Sequence, residues 1–176
     1  AQVADVLAGH EWPRLFDADV LSAVDVPCAA AIYVNDAFVD VGYSQATADL
    51  HELWRRMVFS ILISNTDDHL RNHGFLHVDG DTWRLSPAFD INPNPEPGPK
   101  HLSTTIDLGD DTASISLALS VADYFRLSAE QASDVVAQVQ EAVSHWVRVA
   151  RTYGLSSQEV TAMSWAFTAH AARAST

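Results

Sequence analysis

The sequence predicts an α+β fold that is predominantly helical, a single domain with one small β-hairpin. Three observations point there. Apolar residues recur at helical spacing through most of residues 47–168. One stretch, "GFLHV" and "TWRLS" around Asp79-Gly80-Asp81, alternates as paired strands do about a tight turn. And 176 residues with a 48% apolar and 19% charged content suit one ordinary core.

Residues 1–45 give the weakest pattern. "AQVADVLAG" and "DADVLSAV" read as short helices packed on the rest, and "AAIYVNDAFVDV" reads either as a hairpin turning at Asn35-Asp36 or as more helix. The body of the domain spans 46–176. From Thr47, the residues Leu50, Leu53, Trp54, Met57, Val58, Ile61 and Leu62 form one face of an amphipathic helix that leaves His51, Glu52, Arg55 and Arg56 exposed. That helix stops near Ser64-Asn65, where polar residues cluster. After the hairpin, Pro87 ends the second strand, and four prolines and a glycine make "NPNPEPGPK", residues 92–100, an irregular loop. "SISLALSVADYF" reads as one helix. Ser128 with Gln131 is a capping-box pattern opening a long helix to about Tyr153, with Val135, Val139, Val143, Trp146 and Ala150 on its apolar face. Gly154 stops it, and Ser156 with Glu159 opens a last helix bearing Val160, Met163, Trp165, Ala166 and Phe167.

Composition excludes several roles. A net charge of −13 repels phosphate backbones, so direct nucleic-acid binding is not expected. No apolar run approaches the roughly 20 residues of a membrane span, and the amino terminus carries no signal-peptide pattern. One cysteine, Cys28, allows no intramolecular disulfide, which fits a reducing, cytoplasmic setting.

The chemistry concentrates in "SNTDDHLRNHGFL", residues 64–76, and "LSPAFDINPNP", residues 85–95. A zinc site is one reading, since His69, His73 and His77 are four apart. Gly74 interrupts that segment, however, strand pattern follows it, and no Glu follows His69 as a zinc hydrolase motif requires. Singly, His73, His77 and His101 read as helix caps or fillers of polar niches. The other reading is a catalytic loop. Asp67 precedes Asn72 by five, and Asp90 follows 18 residues later across the hairpin. Phosphoryl transfer from a nucleotide needs a carboxylate to take the proton of the attacking hydroxyl. It also needs oxygen ligands for Mg²⁺, an amide from the same loop and a carboxylate beyond the next hairpin. Asp-x₄-Asn alone is weak; the preceding helix, the hairpin and "FDI" strengthen it. Asp68 reads as a solvated loop acid without a role.

With those residues set out, "NTDDHLRNHGFL…WRLSPAFDINP" closely resembles the carboxy-terminal domain of HipA-like proteins, serine/threonine kinase toxins of bacterial toxin–antitoxin pairs. The resemblance is dense from about Leu50 to Asp90 and looser to about residue 168, with "VLSAV" near residue 20 a weak further match. It implies a protein-kinase-like larger (C-terminal) lobe that uses ATP and Mg²⁺. Asp67 falls on the family's catalytic base and Asn72 and Asp90 on its Mg²⁺ ligands. His69 falls on a motif histidine that buttresses the loop, and Arg71 stands where lysine is frequent, both in the phosphate neighbourhood. The resemblance further implies a protein substrate connected with translation and a DNA-binding antitoxin as partner.

A kinase also needs a smaller lobe with a phosphate-covering loop and a lysine. The seven glycines are scattered, and Lys100, the only lysine, follows Asp90. The expectation is therefore a larger lobe that is incomplete as an isolated chain, its nucleotide lobe supplied in cis or in trans. The alternative, of another class, is a non-catalytic interaction module that keeps the kinase-lobe fold and binds a protein such as an antitoxin.

Overall fold

Helix α1 runs from Tyr43 to Leu62 and is the centre of the molecule. In this computed structural model, which describes residues 43–79 and 82–168, it begins earlier than the apolar pattern indicates. The expected short helices of 1–45, the turn at Asn35-Asp36 and the hairpin tip at Gly80-Asp81 lie outside the described residues, apart from the start of α1. The predicted apolar stripe is the core: Leu50, Trp54, Val58 and Ile61 are fully buried, with Leu53, Met57 and Leu62 beside them. Sequestering side chains of this size contributes about 1.5–3 kcal/mol each. Trp54 also satisfies its indole, donating to the Ala118 carbonyl at 3.1 Å.

The opposite face of α1 is less open than its charges suggest. Arg56 is only 12% exposed and donates to the Ser86 carbonyl at 2.7 Å. His51 lies 3.3 Å from the Arg126 carbonyl. Neighbouring segments cover this side, so the expected exposed flank is half-buried.

Strands β1 (Phe75–Asp79) and β2 (Thr82–Leu85) form the expected antiparallel hairpin, Phe75 opposite Leu85 and His77 opposite Trp83, with a register shift between His77 and Asp79. Asp49 of α1 fixes the hairpin to the helix. Its carboxylate accepts both arms of the Arg84 guanidinium at 2.9–3.1 Å and the Leu85 amide at 3.1 Å. The Asp49 carboxylate beside it raises the Arg84 pKa further.

Two predicted helices are divided. "SISLALSVADYF" gives α2 (Ile115–Ser120) and then a 3₁₀ turn (Ala122–Phe125). Arg126, at φ +60°, reverses the chain, and the Leu127 amide donates back to Ala122 at 3.1 Å. This reversal turns Leu127 inward onto the core with Val121 and Phe125. The long helix divides at His145 into α3 (Ala129–Ser144) and α4 (Trp146–Thr152). There the Ser144 hydroxyl donates to the Glu141 carbonyl at 2.7 Å, and Trp146, the first residue of α4, stacks on Phe167 at 4.2 Å. Both capping boxes form as the sequence indicates, at Ser128–Gln131 and Ser156–Glu159. Gly154 takes φ +84° before α5 (Ser157–Thr168). Helix α1 packs on α2, α3, β2 and the 3₁₀ turn Ala122–Phe125. No described helix is long and apolar enough to cross a membrane.

Candidate active site

The site grows from the carboxyl end of α1. Ser64 adopts φ +55°, which turns the chain sharply off the helix. Ser64 and Asn65 are buried there and fully engaged. The Ser64 hydroxyl donates to the Ala166 carbonyl of α5 at 2.8 Å, and the Asn65 amide nitrogen donates to Ser60 Oγ at 3.3 Å.

In the loop that follows, the two adjacent acids part company. Asp67 is exposed, and among the described residues nothing bonds its carboxylate. Asp68 is not the solvated acid its loop position suggests: its side chain is only 13% exposed. Ser60 Oγ donates to one carboxylate oxygen at 2.8 Å, and His73 Nε2 lies 3.0 Å from the other. Asp68 is drawn inward by the donors brought over it by α1 and by the residue after the 3₁₀ turn Leu70–Asn72. Asn72, within that turn, is buried, and its amide nitrogen donates to the Asp67 carbonyl at 3.2 Å. This bond fixes the amide's orientation and leaves Oδ1 as its available lone-pair donor.

Asp90 is exposed, at φ +54°. Aspartate tolerates that left-handed conformation better than most residues. Its carboxylate accepts from Asn92 Nδ2 at 2.9 Å. The turn is sewn to the first loop at three points. The Asn92 amide donates to Asn65 Oδ1 at 3.3 Å, the Asn94 amide to the Ser64 carbonyl at 3.0 Å, and Asn94 Nδ2 to Thr66 Oγ1 at 3.0 Å. The irregular proline-rich loop is held by Lys100, whose buried ammonium donates to the carbonyls of Asn94 and Glu96. Its charge is thereby committed to loop structure.

His69 and Arg71 flank the turn. His69 is half-buried, with Nδ1 enclosed and unpartnered, and its carbonyl accepts from the Asn72 amide at 2.8 Å. Arg71 is exposed. The histidine spacing does not assemble a metal cage: His73 faces Asp68, His77 sits in β1, and His101 pairs with Asp111 at 2.8 Å. Among the described residues no three His, Cys, Asp or Glu side chains gather as a metal-binding group. A site with one carboxylate and one amide, completed by phosphate and water oxygens, is of a different kind and suits Mg²⁺. The donors present, Asp90 and Asn72 Oδ1, are hard oxygens of that sort.

Residues that the motif reading passed over do the assembling: Ser60, Asn65, Asn94, Lys100 and Thr104. The repeated asparagines of "NPNP" were the available signal, since an amide both donates and accepts across a loop.

Comparison with known proteins identifies the family of the chain. The model of the HipA-like C-terminal domain matches residues 14–146, and the chain belongs to that family. A protein of Sinorhizobium fredii named "Putative kinase Y4dM" is 39% identical over 79 residues. That alignment covers 44% of this chain and 17% of the relative, so the chain matches a small part of the longer protein. No solved structure matches.

Proposed function

We propose that the chain is the larger lobe of a HipA-type serine/threonine protein kinase, with Asp67 as the base and Asn72 and Asp90 as holders of Mg²⁺. The observation that carries this reading is the stitching of the Asp90 turn onto the Asp67 loop through Asn65, Ser64 and Thr66. Two segments far apart in sequence thereby share one edge of the helical lobe.

In the proposed transfer, Asp67 orients a serine or threonine hydroxyl and takes its proton. The hydroxyl oxygen bonds to the γ-phosphorus of ATP as the bond to the bridging oxygen breaks, and ADP departs. The exposed carboxylate of Asp67, unbonded among the described residues, suits that task. When bound, Mg²⁺ offsets phosphate charge. With its nitrogen tied to the loop, Asn72 would hold the ion through Oδ1. Arg71 is the exposed cation nearest in sequence to that edge, and Lys100 is already committed elsewhere. The lysine-bearing nucleotide lobe is then supplied in cis beyond the described residues or in trans. The reading includes the toxin role, a protein substrate connected with translation, and pairing with an antitoxin.

Calorimetry of ATP binding with and without Mg²⁺ tests it. Mg²⁺-dependent binding near the micromolar range, lost in Asp90→Asn, is the expected result. Absence of heat at millimolar nucleotide would instead favour the interaction module. With an amino-terminal lobe added, Asp67→Asn should abolish transfer; full activity would refute the base assignment.

A further inference from the structure

The half-buried carboxylate beside the proposed base has no part in that chemistry, yet both of its oxygens are engaged. Asp68 accepts from Ser60 on α1 and pairs with His73 beyond the 3₁₀ turn, while its carbonyl accepts the Thr104 hydroxyl at 2.8 Å. The three partners come from before the loop, after it, and a distant segment. Ser60 is itself supported by Asn65, the residue that also receives the Asp90 turn.

The arrangement is not a nucleophilic triad. Ser60 is buried and donates to a carboxylate, with no imidazole to take its proton. A carboxylate only accepts, so the His73 Nε2 that faces Asp68 is the donor of that contact, while Nδ1 is enclosed with no partner among the described residues. Asp68 thus anchors the loop at both ends.

We propose, on the basis of the kinase reading above, that Asp68 is a positioning residue. Its inward carboxylate obliges the neighbouring Asp67 to face outward and holds Asn72 at the depth from which its oxygen can serve a cation. The loop's geometry is therefore set from α1 through Ser60–Asp68–His73. Groups that support metal ligands from behind typically change metal affinity by about 10–100-fold when removed.

The test uses the full chain with Asp68→Asn and the milder Ser60→Ala. Amide hydrogen exchange is followed across residues 66–73, and Mn²⁺, standing in for Mg²⁺, is titrated by electron paramagnetic resonance. Exchange in the loop should rise about tenfold or more in Asp68→Asn, the effect of one lost charge-assisted hydrogen bond. Core amides of α1 should be unchanged and Mn²⁺ affinity should fall about tenfold. Should Asp68→Asn fail to fold, Ser60→Ala decides on the same readouts with smaller changes in the same direction. Wild-type exchange in the folded variants overturns the proposal, as does faster exchange with unaltered Mn²⁺ affinity. Asp90→Asn should lose Mn²⁺ while keeping wild-type loop exchange. If the wild-type chain binds no Mn²⁺, the metal reading fails by itself, and loop exchange alone decides the role of Asp68.

Discussion

The main-chain amide of Asn92 donates to the side-chain oxygen of Asn65, and the nitrogen of that same side chain donates to Ser60, each at 3.3 Å. One buried amide thus spans α1, the acidic loop and the Asp90 turn. Asn65→Ala removes both bonds and should destabilise the fold by about 1–3 kcal/mol, read from urea unfolding. Asn65→Asp is the sharper test. Ser60 already donates its one proton to Asp68, so a second carboxylate would face a bare oxygen beside a like charge. At neutral pH, Asp should be no better than Ala, and it should recover as acid protonates the new carboxylate. A wild-type unfolding midpoint for Asn65→Asp at neutral pH would contradict this.

The hairpin that separates Asn72 from Asp90 hangs on Asp49 and Arg84. Asp49 is 5% exposed at its side chain and Arg84 40%, so water can compensate the arginine but not the acid. Arg84→Gln should therefore cost about 1–3 kcal/mol in chemical denaturation, the range for a charged hydrogen-bond partner. Arg84→Lys should recover only part of it, because an ammonium cannot reproduce the two-armed contact. A lysine variant as stable as wild type would show that charge alone suffices.

Helix α1, the hairpin and both capping boxes were legible because each depends on residues close in sequence: an apolar repeat, Asp-Gly between strand patterns, Ser with Gln or Glu three positions on. The divisions at Val121 and His145 were not. They follow from where Leu127 and Trp146 find their partners, and the partner of Trp146 is Phe167, in another helix. The candidate site divides the same way. Asp67, Asn72 and Asp90 could be singled out by spacing and side-chain chemistry, whereas the inward engagement of Asp68 could not, since Ser60 and Thr104 reach it through folding. Two neighbouring aspartates look alike in sequence; only the donors above one of them tell them apart.

Glu159 provides a pH-dependent check on α5. Its carboxylate accepts the Ser156 main-chain amide at 2.7 Å, and hydrogen bonds from Ser156 hold its pKa below the ordinary 4.5. A carboxyl whose folded value is lowered adds stability above its unfolded value and loses it as pH falls through the folded one. Protection of α5 amides should hold above pH 4.5 and decline below it, with Glu159→Gln flattening that decline. Exchange measured between neutral and acidic pH checks it; an equal decline in the glutamine variant would remove Glu159 as the cause.

Asp90 separates what the fold needs from what the proposed chemistry needs. At φ +54° an L-residue is held in the left-handed region, where glycine is at ease. Asp90→Gly relieves that strain, about 1 kcal/mol, but adds backbone freedom to the unfolded chain and loses the bond from Asn92 Nδ2. These terms nearly cancel, so unfolding free energy should stay within about 1 kcal/mol of wild type. Asp90→Ala keeps the strain and loses the bond, so it should be the less stable of the two. Both should lose Mg²⁺-dependent nucleotide binding alike, because each removes the carboxylate. Paired denaturation and calorimetry of the two variants would decide: Mg²⁺-dependent binding surviving in the glycine variant would free Asp90 of any role toward the metal.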